Sequence, residues 1–175
     1  MMTITISGLP GTGKTTVAKL LEKRLGLRYV YSGEIFREMA KKQGMSLEEF
    51  GAYCETHPER DEELDRFQVE ILRKGNVILE GRISGWLATR NKIPAVKVLL
   101  EASIDVRAGR IVKREQGNIA ERKKEILKRE KSEATRYKNY YGIDVYDTSI
   151  YDVIIDVSKK TPEEITEIIL AHLEG

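Results

Sequence analysis

A single cysteine, Cys54, stands among the 175 residues, so no internal disulfide is available and the chain suits a reducing cytoplasm. That lone thiol reads as a small, at least half-buried apolar residue rather than a nucleophile. No apolar run approaches the ~20 residues that a membrane-spanning helix needs, and the N-terminal stretch reads as a core strand rather than a signal peptide. Neither sign of charge prevails. Charged residues make up 33% of the chain, yet the net charge is only +2, which argues against a protein that binds polyanions with its whole surface. The two histidines, His57 before Pro58 and His172 near the C-terminus, have no partner cluster for catalysis or metal binding. Trp86, the only tryptophan, reads as core filler or as the edge of a pocket. Repeats, low-complexity tracts and linkers are missing, and the length suits one domain with a substantial core. Three glutamines and four asparagines beside abundant Lys and Glu resemble the composition of thermophile proteins.

What the chain does have is concentrated first in residues 2–25. The β-branched run Thr3-Ile4-Thr5-Ile6 leads into a glycine-rich turn, and Val17, Leu20, Leu21 and Leu25 then recur on one helical face. Between them, Gly8-Leu9-Pro10-Gly11-Thr12-Gly13-Lys14-Thr15 fits G-x-x-x-x-G-K-[ST] at every fixed position, with Thr16 following. Glycines at these places let the backbone curl so that successive N–H groups point at anionic oxygens. The helix start adds its partial positive charge. In such a loop Lys14 reaches the β- and γ-phosphates and the Thr15 hydroxyl ligates Mg²⁺. Because strand, loop and helix follow in the required order, the stretch predicts a nucleoside triphosphate site.

Further strands are predicted at 27–31, 76–79, 96–100 and 153–157, and helices at 34–42, 104–114 and 120–141. Ser46-Leu47-Glu48-Glu49 is a capping-box pattern, and Thr161-Pro162-Glu163-Glu164 combines an N-cap, a proline and a capping glutamate. A helix after Pro58 would bury Leu64, Phe67, Ile71 and Leu72, and the last helix Ile165, Ile168, Ile169 and Leu173. Five apolar strands, each followed by helical pattern, imply an α/β three-layer sandwich: a mostly parallel sheet covered on both faces. Ligands gather at the carboxyl ends of such strands, so the loops beginning at Gly8, Ser32, Glu80, Glu101 and Ser158 are the ones to watch.

The phosphate loop alone does not separate kinases from GTPases and motors. A guanine-reading N-K-x-D is missing; Asn91-Lys92-Ile93-Pro94 puts proline where the aspartate must stand. The third strand ends in Glu80, not in the usual aspartate with ATPase motifs after it. The arginines say more. Arg107, Arg110 and Arg114 share one helical face, Arg122, Arg129 and Arg136 repeat at seven, and Arg37 and Arg82 each follow a predicted strand end. Residues 107–138 hold twelve Lys/Arg against five Asp/Glu. For Lys123, Lys124, Lys128 and Lys138 a solvated helix face is the reading. Arginines at strand ends beside a phosphate loop fit clamping, because the planar guanidinium holds phosphate oxygens bidentately. An alcohol acceptor usually needs a carboxylate base, and apart from Glu80 none is evident. A phosphate acceptor is already ionised and needs only neutralisation and in-line positioning. That favours a nucleoside monophosphate kinase over a sugar or shikimate-type kinase.

The later motifs resemble a known family. Ser32-Gly33-Glu34-Ile35-Phe36-Arg37 is similar to the monophosphate-binding loop and helix of the adenylate/cytidylate kinase superfamily. Glu80-Gly81-Arg82 resembles the D-G-R element of cytidylate kinases, with glutamate for aspartate and Ile83 where bacterial members carry another aspartate. Arg129, Glu130, Glu133 and Arg136 resemble their R-[DE]-x-x-[DE]-x-x-R run, and residues 141–156 look like the archaeal type. The resemblance implies a (d)CMP kinase using ATP with Mg²⁺, a cytoplasmic monomer without nucleic-acid or membrane partners. It implies that Ser32, Arg37, Glu80, Gly81 and Arg82 hold the acceptor nucleotide, that Lys14, Arg129 and Arg136 act in catalysis, and that Arg110 or Arg114 sits at a lid over ATP. The whole of 1–175 would be one domain, with a mobile acceptor-binding insert near 32–62 and the lid near 114–124. Two alternatives stand beside it: an adenylate or other small-molecule kinase on the same scaffold, and a regulatory ATPase binding nucleic acid through 107–138. The second lacks a helix-turn-helix signature or an aromatic stacking platform.

Overall fold

A computed structural model describes residues 1–175. Its centre is β1 (Thr3–Ser7), buried at all five positions. It pairs on one side with β3 (Val77–Glu80) and on the other with β4 (Val96–Glu101), both parallel to it. β2 (Arg28–Tyr31) and β5 (Val153–Asp156) complete an all-parallel sheet in the order β2-β3-β1-β4-β5. The inner strands are continuous apolar or β-branched runs because helices cover both of their faces.

On one face α1 (Lys14–Leu25) and α8 (Pro162–Glu174) press Val17, Ala18, Leu21, Ile165 and Ile169 onto Ile4, Ile6, Ile78, Val98 and Leu100. Against the other lie α4 (Pro58–Lys74) and α5 (Ser84–Arg90), with Val69, Leu72, Leu87 and Ala88 packed on Leu79, Ile83 and Ile143. α2 (Ser32–Lys42) and α3 (Leu47–Cys54) share a small cluster of Ala40, Phe50 and Cys54. The Cys54 thiol is buried there, which pushes its pKa up to about 12 and suits the apolar role expected of it. α6 (Ile104–Glu115) and α7 (Ile119–Tyr141) form a helical hairpin through Ala108, Ile111 and Ile126. Only residues 116–118 separate these two helices, so the segment predicted as a lid is the tip of that hairpin. Both predicted capping boxes are present, at Ser46–Glu49 and Thr161–Glu164. No helix is long and apolar enough to cross a membrane.

Three local expectations need correction. α5 was not anticipated: seven residues are too few to display a helical period, and burial of Ser84, Gly85, Leu87 and Ala88 holds it in place. On α4, Phe67 is 51% exposed while Asp61 and Gln68 are buried. The inward face of α4 is therefore part polar, because it borders a cleft as well as the core. On α8, Ile168 lies outward at 39% exposure, one position round the helix from Ile169.

The carboxyl ends of β1, β2 and β3 are tied together by short bonds. The Gly81 N–H donates to the Ile6 carbonyl (3.1 Å), and the Ser32 hydroxyl donates to the Glu80 carbonyl (2.7 Å). A Cβ on residue 81 would stand 2.2 Å from the Ser32 Oγ, so only glycine lets α2 start this close to β3. Gly81→Ala is accordingly expected to destabilise the protein by roughly 1–3 kcal/mol, the range for overpacking a tight contact. Combining it with Ser32→Ala should recover part of that loss; denaturant titration of the single and double variants gives the measurement. Additive losses would show that the clash lies elsewhere.

Candidate active site

The glycine-rich turn between β1 and α1 folds over its own lysine. The Lys14 ammonium and the Thr12 hydroxyl both donate to the Leu9 carbonyl, at 2.9 and 3.1 Å. Gly11 has φ 86°, and a Cβ there would lie 2.8 Å from the Arg107 carbonyl, so α6 packs directly under the turn. Arg107 closes this contact. It donates to the Pro10 carbonyl (3.3 Å) and the Ala102 carbonyl (3.0 Å), and it forms a buried ion pair with Glu130 of α7. Lys14 is only 5% exposed. Burial and then the neighbouring Arg82 hold its pKa well below the usual lysine range, with Glu80 and Glu133 pulling the other way. A site that strains a cation in this manner is poised for an anion.

Glu80 ends β3 and is buried. Both of its carboxylate oxygens lie 3.1 Å from the Thr15 hydroxyl, which donates to them, and Tyr29 donates its hydroxyl to Oε2. Its side chain therefore belongs beside the phosphate loop rather than with the acceptor residues among which the sequence reading put it. A hydroxyl and a carboxylate side by side form a hard oxygen set of the kind that Mg²⁺ shares with nucleotide phosphates.

Over this floor opens a cleft of ≈ 450 Å³ lined by Lys14, Thr15, Arg37, Arg82, Arg114 and Arg129 among others. Arg82 and Arg129 come from different elements and converge because both donate to Glu133, at 2.9 and 3.2 Å. Burial raises the Glu133 pKa, but Arg82 and Arg129 outweigh it and hold the carboxyl below its ordinary value, so it stays ionised. Arg37 on α2 stays exposed at the rim. An inner arm runs on from Arg82 and Arg129 past Ser32 and Gly81 to α4.

Two predicted residues are elsewhere. Arg136 was expected to join Arg129 over the phosphates, two helical turns on along α7. It is instead 4% exposed and bonded to Asp61 of α4 (3.1 Å), with its guanidinium over the Phe36 ring, and it lines the inner arm rather than the phosphate cleft. A buried aspartate outcompetes an open cleft for the guanidinium. Arg110 donates to the Thr12 and Val157 carbonyls (3.2 and 2.7 Å), bracing the phosphate loop against the end of β5 instead of capping it. Arg114, by contrast, lies exposed at the cleft mouth near the hairpin tip. Tyr29, Asp61 and the Arg107–Glu130 pair went unassigned in the sequence, since each draws its role from a partner at least 23 positions away.

The comparisons agree with this geometry. The profile of the cytidylate kinase-like family matches residues 3–159. A cytidylate kinase of Methanocaldococcus jannaschii is 49% identical over 175 residues, covering 99% of this chain and 98% of the relative. One from Pyrococcus horikoshii is 48% identical over 173 residues, covering 99% and 88%. Among solved structures, the shikimate kinase of Aquifex aeolicus superposes with a TM-score of 0.61 at 20% identity, covering 99% of this chain and 97% of that one, which shows the shared fold alone. A phosphate loop, a Glu-Gly-Arg strand end and an arginine pair locked on one glutamate are thus set in a sequence nearly half identical to those relatives, and this chain belongs to the cytidylate kinase-like family.

Proposed function

We propose that this protein is a nucleoside monophosphate kinase that transfers the γ-phosphoryl group of ATP to CMP or dCMP, giving ADP and CDP or dCDP. The observation that carries the reading is a cleft lined by six cations with no free base. Lys14, Arg37, Arg82, Arg114, Arg122 and Arg129 all line it. The carboxylates that line it are paired, Glu115 with Arg114 and Glu125 with Arg122, and the buried ones beside it are engaged too, Glu80 with Thr15 and Tyr29, Glu133 with Arg82 and Arg129. An alcohol would need one of them to take a proton; an ionised phosphate does not. An oxygen of the acceptor phosphate attacks the γ-phosphorus as its bond to the β–γ bridging oxygen breaks, and ADP leaves with that electron pair. Lys14 and the turn N–H groups hold the donor phosphates, Arg37 and Arg82 the acceptor phosphate, and Arg129 lies where the moving group accumulates charge. Thr15 and Glu80 are the residues that would hold Mg²⁺ with ATP, and the ion would neutralise charge on the β- and γ-phosphates.

The same reading makes α2–α3 the acceptor-binding insert and the α6–α7 tip, with Arg114, the lid. In this reading the protein works on free nucleotides as a cytoplasmic monomer. The nucleic-acid reading loses ground because the basic hairpin is largely neutralised by its own neighbours: Arg122 pairs with Glu125, Lys123 with Asp105 and Lys128 with Glu48. An adenylate kinase on this scaffold is disfavoured by the family to which the chain belongs.

A coupled assay with ATP, Mg²⁺ and each common nucleoside monophosphate tests the function, with CMP or dCMP expected as the best acceptor. Lys14→Ala should lower turnover at least ~100-fold, the scale of one preorganised electrostatic contact, in a protein that still melts cooperatively. Near-normal turnover would remove the phosphate loop from the mechanism.

Arg129 and Arg136 should separate cleanly. The Arg129 side chain is 38% exposed and that of Arg136 is 4% exposed. Arg129→Ala is expected to lose turnover with little change in stability. Arg136→Ala would leave Asp61 buried and uncompensated, at about 3–5 kcal/mol of stability. Kinetics beside denaturant titration measures both; the reverse pattern would exchange their roles.

A further inference from the structure

The protein buries four carboxylates, and three of them face arginine: Asp61 has Arg136, Glu130 has Arg107, and Glu133 has Arg82 and Arg129. Glu80 is the exception. It is 2% exposed, and only neutral hydroxyls reach its oxygens, Thr15 at 3.1 Å from both and Tyr29 on Oε2. Lys14 lies within its field but donates its ammonium to the Leu9 carbonyl. A buried carboxylate without a fixed cation is unfavourable to the fold, and it suits a cation that comes and goes. Two elements bring the hydroxyls to it. Thr15 stands in the first turn of α1. Tyr29 comes from β2, where it pairs in register with Ile78, two residues before Glu80, so Tyr29, Ile78 and Glu80 share one face of the sheet. The Tyr29 ring packs on the core under α1, and its hydroxyl reaches along the strand to Glu80. Tyr31, the in-register neighbour of Glu80, does not take this place: its hydroxyl folds over Gly33, where a Cβ would stand 2.5 Å from it.

We propose that Tyr29 is a positioning residue of the donor site: its hydroxyl fixes the Glu80 carboxylate beside Thr15 and thereby sets how tightly Mg²⁺ is held with the donor triphosphate. The assignment rests on the kinase reading above, in which Thr15 and Glu80 hold the ion. A glutamate side chain has one more rotatable bond than aspartate, and a carboxylate left to rotate would lie away from the Thr15 hydroxyl for part of the time. Tyr29 removes that freedom by binding one oxygen. Because a phenol is a neutral donor, it orients the carboxylate without cancelling the charge that a metal ion needs. An arginine at the same place would orient it equally well and neutralise it. Partners that touch a metal's ligand rather than the metal typically change affinity 10–100-fold when they are lost.

Calorimetric titration with a non-hydrolysable ATP analogue, run once with Mg²⁺ and once with EDTA, separates this role from a structural one. Tyr29→Phe keeps the ring in the core and removes only the hydroxyl. It should weaken analogue binding roughly 10–100-fold with Mg²⁺ and leave binding in EDTA unchanged. In the CMP assay the free Mg²⁺ needed for half-maximal rate should rise, while KM for CMP stays at the wild-type value. Glu80→Gln should show the same Mg²⁺-dependent loss. The double variant Tyr29→Phe/Glu80→Gln should lose no more than Glu80→Gln alone, because both changes act through one carboxylate. That comparison decides the matter if Tyr29→Phe does not fold, since the double variant buries no unpaired charge. Equal weakening with Mg²⁺ and in EDTA, or a further loss in the double variant, would make Tyr29 a structural residue of β2 and overturn the assignment. Wild-type binding by Tyr29→Phe under both conditions would overturn it too. If Mg²⁺ did not strengthen binding to the wild type, or strengthened it equally in Glu80→Gln, the metal reading and the assignment would fall together. A wild type that binds the analogue with Mg²⁺ yet phosphorylates no CMP would overturn the kinase reading, while the titrations still judge Tyr29.

Discussion

A site built to hold a triphosphate beside a monophosphate must crowd cations together before either ligand arrives, and Glu133 makes that crowding tolerable. Its carboxylate takes the Arg82 guanidinium from the strand-end loop after β3 and that of Arg129 from its own helix. Without an anion between them the two guanidiniums would repel each other and Lys14, whose pKa already falls under the influence of burial and Arg82. Arginine suits the arrangement because its fork can bond Glu133 through Nε and keep its terminal nitrogens for phosphate. The pairing also couples the sheet to α7, so the cleft width depends on where that helix lies.

The rest of the architecture fixes α7 against the phosphate loop. Arg107 reaches from α6 to the Pro10 carbonyl and to Glu130, the residue next to Arg129. Glycine at position 11 is what lets α6 approach, since any Cβ would strike the Arg107 backbone. On the acceptor side, Ser32 and Gly81 perform the matching task and lock the start of α2 to the end of β3. The proposed donor and acceptor subsites thus share one edge of a parallel sheet, while their outer walls come from helices that pack in small separate clusters. Phosphoryl transfer requires that combination, because the reacting atoms must be held in line and water must be excluded after the nucleotides enter.

Much of the fold was legible in the sequence because its signals are local. A β-branched run followed by the phosphate-loop spacing specifies strand, turn and helix in succession, and capping boxes mark helix starts at Ser46 and Thr161 within four residues. α5 was not legible: its seven residues carry no full period, and only burial against the sheet defines it. The polar face of α4 was misjudged for a related reason. Periodicity reports which residues are apolar, and it cannot tell that Asp61 and Gln68 turn inward toward a cleft while Phe67 turns out.

The site divides the same way. The sequence by itself determined the phosphate loop, since Lys14 and Thr15 hold their places by short-range backbone geometry, and it marked Arg37, Arg82 and Arg129 by their positions after strands or along a helix. Tertiary structure alone decided where long side chains come to rest. Arg129 and Arg136 have the same spacing logic, yet Asp61, 75 positions away, draws one of them out of the phosphate cleft. Arg110 braces the loop it was expected to cover because two backbone carbonyls of the folded chain lie within its reach. A long charged side chain goes to the strongest buried partner available, and that partner is set by packing between distant segments rather than by any local pattern.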